Sequence, residues 1–174
     1  MIEFTIEEIY KMSSDKMFLE LLDPDYCSFL TNIDDNIISY YYENIHSIKE
    51  TSTIETKAVS ILKPVIPDIL KSFFKNFENT KFIELGNYDL LNNSATFSIE
   101  AKMVDLINTS IKYSFTISDI DDNLSKKILK FKIECNLPFG LFNGTIEKII
   151  KNDIIEKSKI RNNYINMWID KKYY

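Results

Sequence analysis

A chain of 174 residues, 45% hydrophobic and 27% charged, has the size and balance of one globular domain spanning 1–174. Twenty-one basic against twenty-six acidic residues leave a net charge of −5. That argues against nucleic acid as a partner, because such binding rests on cationic contacts to phosphate. No stretch approaches the roughly 18 apolar residues of a membrane span, and the opening "MIEFTIEEIY" is acidic where a secretory signal would be basic, so a soluble, cytoplasmic monomer is expected.

In chain order, Ile2, Phe4 and Ile6 alternate as in a strand. A short helix follows, with Ser13 or Ser14 as its cap and Asp15 in its first turn. Asp23-Pro24 then starts a second short helix, Asp as N-cap and Pro at the first helical position. Ile- and Tyr-rich segments over 37–63 read as strands. Tyr40 and Tyr42 fall on one face and Tyr41 on the other. Pro67 suits the first turn of a short helix over 67–77. Four strands are expected after it. Gly86 marks a bulge in the first, and Ala95, Phe97, Ile99, Ala101 and Met103 share a face of the second. Ile111, Tyr113, Phe115 and Ile117 share a face of the third, and Leu129, Phe131, Ile133 and Cys135 a face of the fourth.

After Pro138 the period changes to about 3.6. From Gly144 to about Lys171 there is no Pro and no Gly. Ile146, Ile149, Ile150, Ile154, Ile160, Tyr164 and Trp168 fall near one stripe, and the polar run Lys157–Lys159 interrupts it. Asn143 or Thr145 would cap this helix, and Glu147 would sit in its first turn. Gly140 and Gly144, two of only three glycines, flank the strand-to-helix turn, where positive φ angles would favour them.

Catalytic and metal chemistry find little support. His46 is the single histidine, and Cys27 and Cys135 are far apart in sequence. Three or four N/S ligands for zinc are therefore lacking, and two reduced thiols are expected. Asp119, Asp121 and Asn123 imitate the start of a calcium loop, but Leu124 and Lys130 stand where Gly and Glu are needed. Nothing suggests a nucleotide motif or another cofactor. The lysines of "KKILKFK" mostly project from the polar strand face. They give a solvated surface or transient contact with anionic lipid headgroups.

The order strand, two helices, about six strands and a long closing helix resembles the START-like, or helix-grip, superfamily. The resemblance is carried by "IEFTIEEIYKMSSDKMFLELLDPDYCSFL" at one end and "NLPFGLFNGTIEKIIKNDIIEKSKIRNNYINMWI" at the other. The closing segment and "PVIPDILKSFF" are similar to one little-characterised START-like family. The resemblance implies an α+β fold: a curved antiparallel sheet of six to seven strands wrapped around a long C-terminal helix. It also implies a cavity between them for a lipid or other apolar small molecule. The candidate wall is Phe97, Ile99, Met103, Tyr113, Phe115, Phe131 and Ile133 from the sheet. Ile146, Ile150, Ile154, Tyr164 and Trp168 would come from the helix, and Phe139, Leu141 and Phe142 would form the mouth. A protein-interaction module with a filled cavity is the alternative. An enzyme of the cyclase or dehydratase kind would need an acid/base pair in the cavity, and the sequence offers none.

Overall fold

Alternating apolar residues drive the first strand and seven-residue-scale apolar spacing drives the last helix, and the two meet in space. The computed structural model describes residues 1–63, 79–101, 109–136 and 143–174. Its elements are β1 (Ile2–Tyr10), α1 (Ser14–Glu20), α2 (Pro24–Ile33), β2 (Ile37–Ile48), β3 (Thr53–Leu62), β4 (Thr80–Asp89), β5 (Ser94–Ala101), β6 (Thr109–Asp121), β7 (Leu124–Cys135) and α3 (Asn143–Tyr173). The strands form one seven-stranded antiparallel sheet in the order β1-β7-β6-β5-β4-β3-β2. This is the expected helix-grip architecture, with α3 lying against the sheet. The expected helix over 67–77, the turn over 138–142 and Met103 lie outside the described residues.

Local chemistry explains the short helices. Pro24 opens α2, and the Asp23 carboxylate accepts from the Asp25 backbone N–H at 2.8 Å. Ser13 occupies the N-cap of α1 without a side-chain capping bond. The start of α1 is instead held from outside: the Ser14 N–H donates to Asp119 at 2.6 Å, and Asn93 of the β4–β5 hairpin donates to Asp15 at 2.7 Å.

The inner face follows from the register. One row runs Phe4, Phe131, Tyr113, Phe97, Gly86 and Thr56 across six strands. Pairing through Gly86 is uninterrupted, so the expected bulge is absent. A Cβ on Gly86 would lie 2.5 Å from Thr56 Oγ1 and 2.7 Å from Phe97 Cε1. Glycine is there to let the Phe97 ring lie flat on the sheet.

The stripe on α3 also differs from expectation. Ser158 is buried and donates to Glu8, while Ile160 is exposed. The inward series is Ile146, Ile150, Ile154, Ser158, Arg161, Ile165 and Trp168, a spacing of three and four. The polar run therefore contributes to the interface through Ser158. Glu147 lies past the first turn, which contains no acid. It accepts from the Cys135 N–H at 3.2 Å and from the Met1 ammonium at 2.7 Å, tying the helix start to β7 and the N-terminus.

Candidate ligand-binding site

The inner face is floored by rings. Phe4 stacks on Phe131 at 5.1 Å, Phe131 on Tyr113 at 5.2 Å and Tyr113 on Phe97 at 4.4 Å between centroids. Phe18 of α1 caps one end of this floor edge-on, against Tyr88 at 5.5 Å and Phe115 at 6.0 Å. Tyr26 and Phe29 of α2 close round Trp168 at 6.1 and 5.4 Å. The helix packs chiefly on β1 and β7, with α2 beyond, and no comparable packing from described residues covers β3, β4 and β5. There the inner side chains are only half-buried: Tyr40 and Tyr42 on β2, Phe82 and Glu84 on β4, Ile99 on β5 and Tyr113 on β6.

The expected wall residues separate into two groups. Phe97, Phe115, Phe131, Ile133, Ile146 and Trp168 are buried in packed clusters. Ile99, Tyr113, Ile150, Ile154 and Tyr164 are half-buried around them. Met103, Phe139, Leu141 and Phe142 lie outside the described residues.

Four polar side chains on this inner surface escaped the sequence reading. Glu84 follows Thr80 and Phe82 and precedes Tyr88 on the inward phase of β4. It accepts a hydrogen bond from the Tyr113 phenol. Burial, the Glu84 charge and this bond together push the Tyr113 phenol well above its ordinary pKa. Arg161 points from α3 over the Tyr40 ring, 6.0 Å from its centroid. Burial disfavours the guanidinium charge, but the Glu84 carboxylate favours it and Arg161 stays charged. Arg161 remains exposed. Tyr40, Glu84 and Tyr113 are half-buried on the sheet face that Arg161 overlooks, which makes the space between sheet and helix the candidate site.

The other two polar residues are Glu8 and Lys127, an inward ion pair at 3.4 Å. Burial raises the Glu8 carboxyl, but Lys127, Ser158 and Tyr10 outweigh it and leave its pKa below the ordinary value. Burial lowers the Lys127 pKa, and its ammonium lies over the Phe115 ring at 4.7 Å. This pair is satisfied from both sides and welds β1, β7 and α3 together. The signal for all four residues was a charge on the apolar phase of a strand or helix.

Elsewhere the chemistry is sparse. His46 is exposed on β2. Cys27 and Cys135 are free buried thiols, and burial pushes Cys27 up to about 12. Among the described residues no group of three His, Cys, Asp or Glu could hold a metal ion, and no helix is long and apolar enough to cross a membrane. Two open depressions of about 490 and 530 Å³ lie along the sheet; Thr96, Phe97 and Lys112 line both, and Phe4, Tyr113 and Phe131 join Lys130 and Lys132 around the larger. Both are open and carry charged side chains, which suits an apolar ligand poorly, so the face between sheet and helix is the better candidate.

No family model and no curated protein matches the sequence. Solved structures do match. An aromatase/cyclase from Streptomyces sp. R1128 shares 10% identity over 99% of this chain and 94% of its own, with a TM-score of 0.62. Norcoclaurine synthase from Thalictrum flavum, in complex with dopamine and hydroxybenzaldehyde, shares 9% over 99% and 88%, with a TM-score of 0.59. A START superfamily protein from Mycobacterium smegmatis shares 8% over 95% and 98%, with a TM-score of 0.58. At such identities the likeness is one of fold, and the chain has the START-like helix-grip fold.

Proposed function

We propose that the chain binds a lipid or other apolar small molecule in the hollow between α3 and the β3–β5 half of the sheet. One observation carries this reading. Tyr40, Tyr42, Phe82, Glu84, Ile99 and Tyr113 on the inner side of β2, β4, β5 and β6 are left half-buried, while the helix packs on β1 and β7. Buried apolar area would supply most of the affinity, and a few fixed polar groups the orientation. Solved structures of the same fold include an enzyme holding two aromatic molecules, which supports a small-molecule occupant.

Native mass spectrometry of the purified protein, followed by organic extraction, tests the proposal. A co-purifying or exchangeable apolar molecule is expected. Protein that neither carries nor takes up any such molecule would favour an interaction module with a filled interior.

A further inference from the structure

The aromatic floor explains why an apolar body would settle between sheet and helix. It does not explain a guanidinium there. Arg161 takes an inward position on α3 between Ser158 and Ile165, where an apolar residue would continue the stripe. Among the described residues no carboxylate lies within ion-pair distance of it, and its guanidinium stands 6.0 Å from the centroid of the Tyr40 ring. A second polar group on the helix interface is unused. The Tyr26 hydroxyl is buried and has no hydrogen-bond partner. The Tyr26 ring packs 6.1 Å from Trp168, which lies about two turns beyond Arg161 on the same face of α3. A cation and an orphan hydroxyl donor thus lie along one face of α3, and a buried donor without a partner is destabilising. The missing group is an acceptor bearing negative charge.

From this geometry we infer that the ligand is an apolar molecule ending in a single carboxylate, held by Arg161 with the Tyr26 hydroxyl as a further donor. The assignment rests on the ligand-binding reading above and narrows it. Three features select a carboxylate. A planar guanidinium offers two parallel N–H groups, which a carboxylate matches bidentately. One cation balances one negative charge. Glu84, engaged by Tyr113, stands on the same wall and repels a dianionic phosphate more strongly than a singly charged carboxylate. The apolar body then lies over the stacked rings of Tyr113 and Phe97.

Titration calorimetry with dodecanoate, dodecan-1-ol and dodecyl phosphate tests the inference. The wild-type protein should bind dodecanoate about 10- to 100-fold more tightly than the alcohol, the range expected for hydrogen bonds to a charged group. In Arg161→Met the ratio of dodecanoate to dodecan-1-ol affinity should fall to about one. Tyr26→Phe should reduce it by a smaller factor. Equal wild-type affinity for acid and alcohol would overturn the inference, as would a preference that survives in Arg161→Met. Tighter binding of dodecyl phosphate than of dodecanoate would also overturn it. In all three cases the ligand-binding reading is left standing. Failure of every compound to bind would overturn both. Should Arg161→Met lose its helical circular dichroism, the wild-type ratio of acid to alcohol decides alone.

Discussion

Gly86 and Gly144 show how differently one residue type is used. A side chain at Gly86 would meet Thr56 Oγ1 at 2.5 Å and the Phe97 ring at 2.7 Å. That ring is fixed by its stack with Tyr113 at 4.4 Å and has little room to retreat. Gly86→Ala should therefore cost about 1–3 kcal/mol, the usual penalty for overpacking. At Gly144 nothing lies within 4 Å of a built Cβ, and its φ is not in the left-handed region. Gly144→Ala, inside α3, should be neutral or stabilising by up to about 1 kcal/mol. Urea unfolding of both variants checks the pair, and the opposite ordering would refute the account. In sequence both glycines read as backbone devices, a bulge and a positive-φ turn. Neither is used that way, because a ring crossing from the neighbouring strand leaves no local trace. The same limit hid Arg161 and Tyr26. Arg161 was legible only as a polar break in a stripe, since its neighbours Tyr40 and Glu84 lie more than 75 positions away along the chain.

Elements were more legible than contacts, because their signal is local. The period-2 alternation of β5, β6 and β7 and the long glycine-free run of α3 place those elements directly. The joint between them was not legible. Ser158 sits in a polar run that reads as solvated, yet it donates to Glu8, and Glu8 pairs with Lys127 at 3.4 Å. One carboxylate thus joins β1, β7 and α3. Lys127→Met would leave that carboxylate buried without its cation, a loss of about 3–5 kcal/mol at neutral pH. The pH dependence has a definite sign. Glu8 has its pKa lowered in the folded wild-type protein. Its contribution is therefore complete above the ordinary carboxylate pKa and is lost as pH falls through the folded value. In Lys127→Met, burial is left to raise the Glu8 pKa, so protonation relieves the variant. The gap between variant and wild type should shrink as pH falls from 7 to 4. Denaturant melts at both pH values check this, and a gap that stays constant or widens would exclude the buried pair as its cause.

At the scale of the whole molecule, α3 is fastened along its length, and this constrains how a ligand can be held. Its start is tied by Glu147 to Met1 and to the Cys135 N–H, and its middle by Ser158 to Glu8. Near its end, Glu20 of α1 accepts from the Trp168 indole at 2.8 Å and from Lys172 at 2.9 Å. Lys172 also reaches Asp23 at 2.6 Å, and Lys11 pairs with Asp170 at 3.0 Å. A helix pinned at start, middle and end should not melt ahead of the sheet, so the domain should unfold as one cooperative unit. Trp168 is the single tryptophan and sits at the far end of α3, between α1 and α2. Its fluorescence reports helix docking, while far-ultraviolet circular dichroism reports the whole chain. The two thermal transitions should coincide. Because the proposed site would be formed only when helix and sheet are docked, an occupant there must stabilise both together. At one hundred times its dissociation constant, dodecanoate should add about 2.7 kcal/mol. For a domain of this size that shifts the melting temperature by about 5–10 °C, and both signals should move by the same amount. Fluorescence that shifts while circular dichroism does not would place the ligand at a local surface near Trp168. An unmoved midpoint under saturating ligand would mean that the bound site survives unfolding, which no hollow between sheet and helix can do.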